Sequence, residues 1–251
     1  MCVNIGFRIE LADTNIFKDA FESISKIVDE IKIEIDSEGF RVNALDRSHI
    51  AFVSLNLEAT VFDEFECDGI ETINIDTHDF MKILKRSKKN DVLTLEGDDT
   101  LNLKITFTGD STRTFTLRLI DIEYDSPKPP ELNPPCCVNI SSNLLKEALT
   151  DMELFSESLS YKVDEDYFTV ETDGEFGESN FKYLHGENIM ENAKSSFSID
   201  KLKDIFSASK FSDNVEVLLG NDMPVLFRFL LDTGDGELKF LLAPRLEADD
   251  E

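Results

Sequence analysis

The feature that most constrains the fold of this chain is an internal repeat. The segment FKDAF at 17–21 returns as LKEAL at 145–149, an offset of 128 (145 − 17). At the same offset three residues recur unchanged, pairing Asp36 with Asp164, Phe40 with Phe168 and Val42 with Val170. An apolar triplet recurs at an offset of 122 (202 − 80), matching Phe80, Ile83 and Leu84 with Leu202, Ile205 and Phe206. The chain therefore consists of two similar halves of about 120 residues each.

Each half is predicted to contain two units in which a helix is followed by strands. Apolar residues spaced three or four apart predict helices at about 14–30, 77–89, 141–152 and 200–211. A side-chain oxygen just before a helix accepts from its first free N–H groups, and this predicts N-caps at Thr14, at Ser141 or Ser142, and at Asp200.

Between the helices, apolar residues alternate with the period of a strand. Clear cases are LNLKITF at 101–107, TFTLRLI at 114–120, and the pair VLFRFLL and ELKFLLA at 225–231 and 237–243, joined by the turn DTGDG. Few helices covering extensive antiparallel sheet define an α+β architecture. Five of the seven prolines lie within 120–137, which predicts an extended, semi-rigid connector. We therefore predict an N-terminal domain at 1–119, a proline-rich connector at 120–135 and a C-terminal domain at 136–251.

Composition and motifs argue against several classes of function. The chain carries 25 Lys and Arg against 52 Asp and Glu, a formal charge of −27, which opposes indiscriminate DNA binding. No run of 18 apolar residues predicts a membrane span. The first residues lack a secretory signature and alternate like a strand. Four cysteines without a C-x-x-C pair and three separated histidines predict a reduced, intracellular protein with no metal site and no cofactor. We also find no catalytic motif, since DTG at 232–234 reads as a hairpin turn, so we do not expect an enzyme.

Against this acidic background, KILKRSKK at 82–89 places five basic residues in eight positions. If the helix runs to residue 89, Lys82, Lys85, Arg86 and Lys89 lie opposite the apolar face that includes Phe80. The four predicted helices carry 11 basic and nine acidic residues, a net charge of +2 (11 − 9), so the remainder carries −29 (−27 − 2). An ordinary solvent-exposed helix face would explain the basic residues of a single helix. This segregation instead favours contacts with the phosphates of a DNA duplex, without sequence readout.

Three segments, GFRVNALDRSHIAFVSLNL at 39–57, FMKILK at 80–85 and LKFLLAPRLE at 238–247, resemble a known family. It is the sliding clamp called proliferating cell nuclear antigen, in its archaeal or eukaryotic-type form, and the likeness extends over nearly the whole chain. The resemblance implies two domains of the DNA-clamp fold and a homotrimeric ring with pseudo-sixfold symmetry, whose twelve helices surround duplex DNA. Lys18, Lys82 and Lys85 match DNA-facing positions of the family. Arg86 and Lys89 join them from the cluster, and Lys146 and Lys210 from the repeat.

The resemblance also implies two protein-binding surfaces. The strand at 111–119 is expected to meet 174–184 of a neighbouring subunit, with interface side chains Phe115, Leu117, Phe176, Phe181 and Tyr183. Ordinary internal strands would show the same pattern. An apolar pocket for partner peptides is expected from Leu45, Ile50, Phe52, Pro224, Leu241, Ala243, Pro244 and Leu246, with His49 at its rim. His49 would offer a hydrogen bond there, or serve only the structure.

By resemblance, the function is that of a processivity factor. The ring would hold DNA polymerase, and likewise the clamp loader, flap endonuclease and DNA ligase of replication and repair, through their PIP-box peptides. The alternatives are a subunit of a heterotrimeric or checkpoint-type clamp, or an acidic protein-interaction scaffold such as a DNA mimic. A mimic would have no need for the cations of 82–89. The expected location is the cytoplasm, at the nucleoid, in an archaeon, or the nucleus in a eukaryote.

Overall fold

The computed structural model describes residues 6–97, 101–122, 126–187, 189 and 191–245. The helices are α1 (Thr14–Ile27), α2 (Thr77–Leu84), α3 (Ser142–Met152) and α4 (Ile199–Ile205), with 3₁₀ turns at Ala59–Val61 and Phe206–Lys210. The strands before residue 120 are β1 (Phe7–Leu11), β2 (Glu30–Asp36), β3 (Gly39–Leu45), β4 (Ala51–Glu58), β5 (Glu64–Cys67), β6 (Glu71–Asp76), β7 (Val92–Gly97), β8 (Asn102–Thr108) and β9 (Thr112–Arg118). The later strands are β10 (Cys136–Ser141), β11 (Ser158–Val163), β12 (Tyr167–Gly174), β13 (Gly177–Leu184), β14 (Ala193–Ser198), β15 (Asn214–Leu219), β16 (Val225–Leu230) and β17 (Gly236–Leu242). Within the described ranges, no helix is long and apolar enough to cross a membrane.

The chain divides into two compact units. The first comprises Met1–Arg47, Val53–Pro129 and Leu231–Leu238, and the second comprises Ser48–Phe52, Pro130–Leu230 and Lys239–Glu251. The division between Pro129 and Pro130 falls inside the predicted connector. The domain boundaries at 119 and 136 stay predictions.

In the first unit, strands β5-β1-β7-β8-β9 form an antiparallel sheet, and β4, β3, β2 and β6 follow one another in a second. Helices α1 and α2 pack together through Phe21 and Phe80, whose ring centroids lie 4.8 Å apart in an edge-to-face arrangement. Phe17 and Phe40 extend this core at 5.0 Å, and all four rings are fully buried.

In the second unit, β13-β12-β11-β14 form one antiparallel sheet, and β10, β15, β16 and β17 follow one another in another. Its core centres on Tyr161, which lies against the rings of Phe168, Phe197 and Phe227 at 5.3, 5.6 and 6.2 Å. Strands β16 and β17 are connected by the predicted DTGDG turn, in which Leu231 N donates to Gly236 O at 2.8 Å. Gly234 has φ +85°, a left-handed conformation that favours glycine.

The repeat is visible in strand register. In the β2–β3 hairpin, Ile33 faces Val42 and Ile35 faces Phe40. In the β11–β12 hairpin, Tyr161 faces Val170 and Val163 faces Phe168, each shifted by 128 (161 − 33). The predicted α+β class and the two similar halves are confirmed.

Several helix boundaries differ from prediction, among them the end of α4, which stops at Ile205 and passes into the 3₁₀ turn Phe206–Lys210 instead of continuing to 211. The N-cap of α1 is Asp13, whose carboxylate accepts from Asn15 N at 3.1 Å, and Thr14 is the buried first helical residue. The N-cap of α4 is Ser198, which places the predicted cap Asp200 inside the first turn. Ser141 is the N-cap of α3, as predicted, although its side chain makes no capping hydrogen bond. Helix α1 ends at Ile27, before the predicted end at 30, because Val28 already has an extended backbone conformation.

Candidate functional site

The basic cluster lies mostly beyond its helix. Helix α2 ends at Leu84, so Lys85 is its C-cap, and the predicted continuation of the helix to residue 89 is wrong. The next two turns are of the 3₁₀ type, in which each hydrogen bond spans three residues instead of four: Arg86 N donates to Ile83 O at 2.8 Å and Ser87 N to Leu84 O at 3.0 Å. Asn90 then has φ +70°, which no helix continues. We call residues 85–90 the basic loop.

Side chains from outside the loop explain where the helix stops. The Asp91 carboxylate accepts from Lys88 N at 2.6 Å, and Arg113 Nη1 on β9 donates to Arg86 O at 2.7 Å. Both contacts satisfy backbone groups that a longer helix would have paired internally. Lys85, Arg86 and Lys89 are therefore placed by a loop and not by a helix face.

The cluster is exposed, as predicted. Lys85, Arg86 and Lys89 are exposed, and none of them forms an ion pair within the described residues. Lys82 is different because its Nζ lies 2.7 Å from Asp79 Oδ1, one turn earlier. This hydrogen bond raises the pKa of Lys82 and engages its ammonium group in the free protein. Lys85, Arg86 and Lys89 are therefore more available than Lys82 for contact with a ligand.

Packing of α1 on α2 brings a further lysine to the loop. Lys18 lines a depression together with Lys88, Lys89 and the first turn of α1. Lys88 was not among the predicted DNA-facing residues. The repeat carried a signal for it, because Lys88 matches Lys210 at an offset of 122 (210 − 88), just as Lys18 matches Lys146 at 128 (146 − 18).

The second unit has a sparser set of cations. Lys146 on α3 donates to Ser209 Oγ at 3.2 Å, in the 3₁₀ turn that also carries the exposed Lys210. At an offset of 122, Lys82, Lys85 and Arg86 correspond to Asp204, Ser207 and Ala208. The concentrated cluster is thus a property of the first unit.

The expected interface residues lie on outer strands. Strand β9, with Phe115 and Leu117, ends the first sheet of its unit, and β13, with Phe181 and Tyr183, ends a sheet of the second. These four side chains are half-buried, and Phe115 packs edge-to-face on Phe107 at 5.9 Å. Phe176 lies in the turn between Gly174 and Gly177 and is 88% exposed. The expected continuous strand 174–184 is therefore a hairpin end followed by β13.

Most expected pocket residues lie in the second unit. Ala243 N donates to Ile50 O at 2.8 Å, which joins the segment after β17 to the residues just before β4. Phe52 is buried, Ile50 and His49 are exposed, and Pro224, Leu241 and Pro244 are half-buried. His49 has φ +59°, a left-handed conformation in the turn before β4. Leu45 ends β3 in the first unit with an exposed side chain, and Leu246 lies outside the described residues.

The described cysteines Cys67, Cys136 and Cys137 are free thiols. Across the described residues, no three His, Cys, Asp or Glu side chains come together as a metal-binding group. His185 is buried, with Nε2 3.0 Å from Asp164 O and Nδ1 accepting from Glu187 N at 3.3 Å. These contacts give His185 a structural role.

Comparison with known proteins decides the family. The family profile for the N-terminal domain of proliferating cell nuclear antigen matches residues 6–128. A DNA polymerase sliding clamp from Methanobrevibacter smithii is 53% identical over 97% of this chain and 100% of its own. The chain belongs to the sliding clamp family. A clamp from Methanothermobacter thermautotrophicus is 47% identical over the same shares.

Solved structures of clamps agree. The crystal structure of proliferating cell nuclear antigen from Entamoeba histolytica matches with a TM-score of 0.90 at 26% identity, covering 96% of this chain and 100% of that one. The homologue from Thermococcus kodakaraensis matches with a TM-score of 0.89 at 26% identity, over 95% of this chain and 100% of its own. The resemblance inferred from three short segments is confirmed over the length of the chain.

Proposed function

We propose that this chain is the subunit of a ring that encircles duplex DNA and tethers DNA polymerase to it as a processivity factor. The observation that carries the proposal is the family membership together with the exposed cations of the basic loop on a chain of charge −27. Exposed cations attract phosphates without reading bases, whereas the acidic remainder repels them. A clamp works by topology and needs no reaction, so we expect no turnover.

The strand arrangement supports a homotrimer assembled head to tail. Glu58 N at the end of β4 donates to Asp235 O just before β17 at 2.9 Å, and Ala243 N just after β17 donates to Ile50 O. Strand β17 therefore runs alongside β4. The corresponding strands β9, last in its half, and β13, fourth in its half, are outer strands of their sheets. Pairing β9 of one copy with β13 of the next would repeat this arrangement and remove both edges.

The apolar residues around Ile50, Leu241 and Pro244 support a site for partner peptides. A half-buried apolar surface next to a loop is the kind of site that accepts aromatic and aliphatic anchors. DNA polymerase, clamp loader, flap endonuclease and DNA ligase are the proposed partners, each through a PIP-box peptide. His49, exposed beside Ile50, would offer a hydrogen bond to such a peptide.

Opposite variants test the separation of the two sites. Reversal of Lys82, Lys85 and Arg86 to Glu is expected to shorten retention on circular DNA by more than about tenfold, because phosphate contacts are replaced by repulsion. Binding of a fluorescent PIP-box peptide should stay at the wild-type level. Leu241→Ser should weaken peptide binding and leave DNA retention unchanged. Equal loss of both activities in either variant would contradict the assignment of two separate sites.

A further inference from the structure

The basic loop is held by a residue that projects from the outer strand β9. The guanidinium of Arg113 pairs with the Asp91 carboxylate and also donates to Arg86 O at 2.7 Å. Its carbon Cζ lies 5.4 Å from the centre of the Phe107 ring on β8, within the range of a cation–π contact. One side chain therefore connects the edge of a sheet with the backbone of the loop.

Asp91 is the centre of this arrangement. Its side chain is only 4% exposed, and its Oδ2 accepts from Lys88 N at 2.6 Å besides the contact with Arg113. The β8–β9 hairpin closes over the carboxylate at Gly109, where an added Cβ would lie 2.5 Å from Asp91 Oδ1. The carboxylate is thus enclosed by the loop on one side and by the hairpin on the other.

These contacts require arginine and aspartate in particular. A buried carboxylate is costly unless it is paired, and Arg113 and Lys88 N both donate to its Oδ2. The planar fork of arginine reaches the carboxylate and the Arg86 carbonyl with two different nitrogens, whereas a lysine has a single point of charge. The remaining Nε of Arg113 is buried without an acceptor among the described residues, a cost that the two terminal nitrogens offset.

We propose that Asp91 and Arg113 are positioning residues that lock the basic loop to strand β9. This proposal rests on the proposed function, because it concerns how the DNA-facing lysines are presented. If β9 is a subunit edge, the charges that contact DNA and the edge that closes the ring belong to one rigid element. A loosened loop keeps all of its charge but presents it in many conformations, which weakens each phosphate contact.

Within its described residues, the second unit lacks the equivalent contacts between a buried aspartate and an arginine. Asp213 occupies the position of Asp91 at an offset of 122 (213 − 91), but it is exposed, and its carbonyl accepts from Ser142 N at 2.9 Å. The matching positions on β17 hold no arginine, since its sequence is GELKFLL. The lock is present where the cations are concentrated.

Arg113→Lys tests the lock without changing charge, and Arg41→Lys, at an arginine of β3 that is paired with Asp36, is the matched control. We expect hydrogen exchange of the Lys88 amide to rise by about tenfold or more in Arg113→Lys, the effect of losing a charge-assisted hydrogen bond network around a buried carboxylate. Retention on circular DNA should shorten by about threefold to tenfold, while the native mass stays that of the wild type. Arg41→Lys should change neither the exchange of the Lys88 amide nor the retention on DNA.

Two further variants keep the test decisive if Arg113→Lys fails to fold. Asp91→Asn removes the charge of the buried carboxylate, and Gly109→Ala places a methyl group against that carboxylate without substituting any charged residue. Both variants should raise the hydrogen exchange of the Lys88 amide and shorten retention on circular DNA, and the variant with the faster exchange should have the shorter retention. Wild-type exchange at Lys88 in all folded variants would overturn the lock. Faster exchange with wild-type retention would overturn its role in DNA contact, whereas a wild type that is not retained on circular DNA would defeat the proposed function itself.

Discussion

The two halves of the chain share a core but not a surface. Hairpins β2–β3 and β11–β12 have the same register, and Phe40 and Phe168 are both fully buried at matching positions. The exposed positions diverge, since Lys85 and Arg86 of the first half correspond to Ser207 and Ala208 of the second. Selection on a repeated fold retains what the core needs, and the outside of each copy is free to acquire its own chemistry.

A polar turn shows the same contrast on a small scale. Asp36 and Asp164 occupy equivalent turns, and each accepts a backbone N–H two residues later, from Glu38 at 2.9 Å and from Asp166 at 3.0 Å. The first half adds an ion pair between Asp36 and Arg41. The second half has Thr169 at the position of Arg41, so Asp164 has no such ion pair there and relies on backbone donors, among them Tyr167 N at 2.7 Å. One geometry is stabilised by two different sets of partners.

The largest expected effect tests the shared core. Phe40→Ala and Phe168→Ala should each lower the free energy of unfolding by about 3–5 kcal/mol, because both rings are fully buried and leave a cavity. Denaturant titration measures both values. Tyr167→Ala is the control, since this ring is 40% exposed with Lys182 Nζ 5.9 Å from its centre, and about 1 kcal/mol or less is expected. A loss below about 1 kcal/mol in only one of the two Phe variants would break the equivalence of the halves.

A smaller effect tests the divergent surface. Lys85→Ala should reduce the salt dependence of DNA binding by about 0.9 in the slope of log K against log [salt], the value for one phosphate contact. Lys203→Ala, on the corresponding helix of the second unit, should leave the slope unchanged because its ammonium is already paired with Glu153. Equal changes in slope would show that both units contact DNA alike.

The smallest effect concerns the two turns. Hydrogen bonding to Arg41 lowers the pKa of Asp36, and the backbone N–H of Tyr167 lowers that of Asp164. A carboxyl whose folded pKa is depressed contributes stability above its unfolded pKa, and the contribution is lost as pH falls through the folded pKa. Arg41→Met should therefore return the pKa of Asp36 toward its ordinary value, and that of Asp164 should not move. Carboxyl NMR titration between neutral and acid pH measures both, and a parallel shift at Asp164 would contradict separate causes.

Much of this arrangement follows from local sequence. Apolar spacing identifies the core faces of all four helices, and the offset of 128 anticipates the shared hairpin register. The end of α2 was missed because its cause is not local. Asp91 and Arg113 are 22 residues apart, and only the β8–β9 hairpin brings them to the loop. Periodicity describes a helix that could continue, whereas tertiary contacts decide where it stops.

The candidate site divides in the same way. The helical pattern predicts the exposure of Lys85, Arg86 and Lys89 correctly, although the structure places these residues on a loop and not on a helix face. Lys88 lies off the helical face that Lys82, Lys85, Arg86 and Lys89 would share, and its match to Lys210 in the repeat is the signal that connects it with the DNA-facing set. Phe176 was assigned to a strand because the pattern of 174–184 shows apolar residues but not the two-residue turn that separates β12 from β13. Contacts between copies have no local signature, so the interface residues Phe115 and Tyr183 remain proposals.

The central claim is that matching edges of one repeated fold close a ring, and native mass tests it most directly. Native mass is measured by light scattering at moderate and at high salt. At moderate salt it should be three times 28.5 kDa, because β9 and β13 pair between copies. A Phe115→Asp variant, which places a charge on the proposed edge, should by itself have a native mass near 28.5 kDa at moderate salt. A wild-type chain that stays at 28.5 kDa at both salt concentrations would contradict the homotrimeric ring.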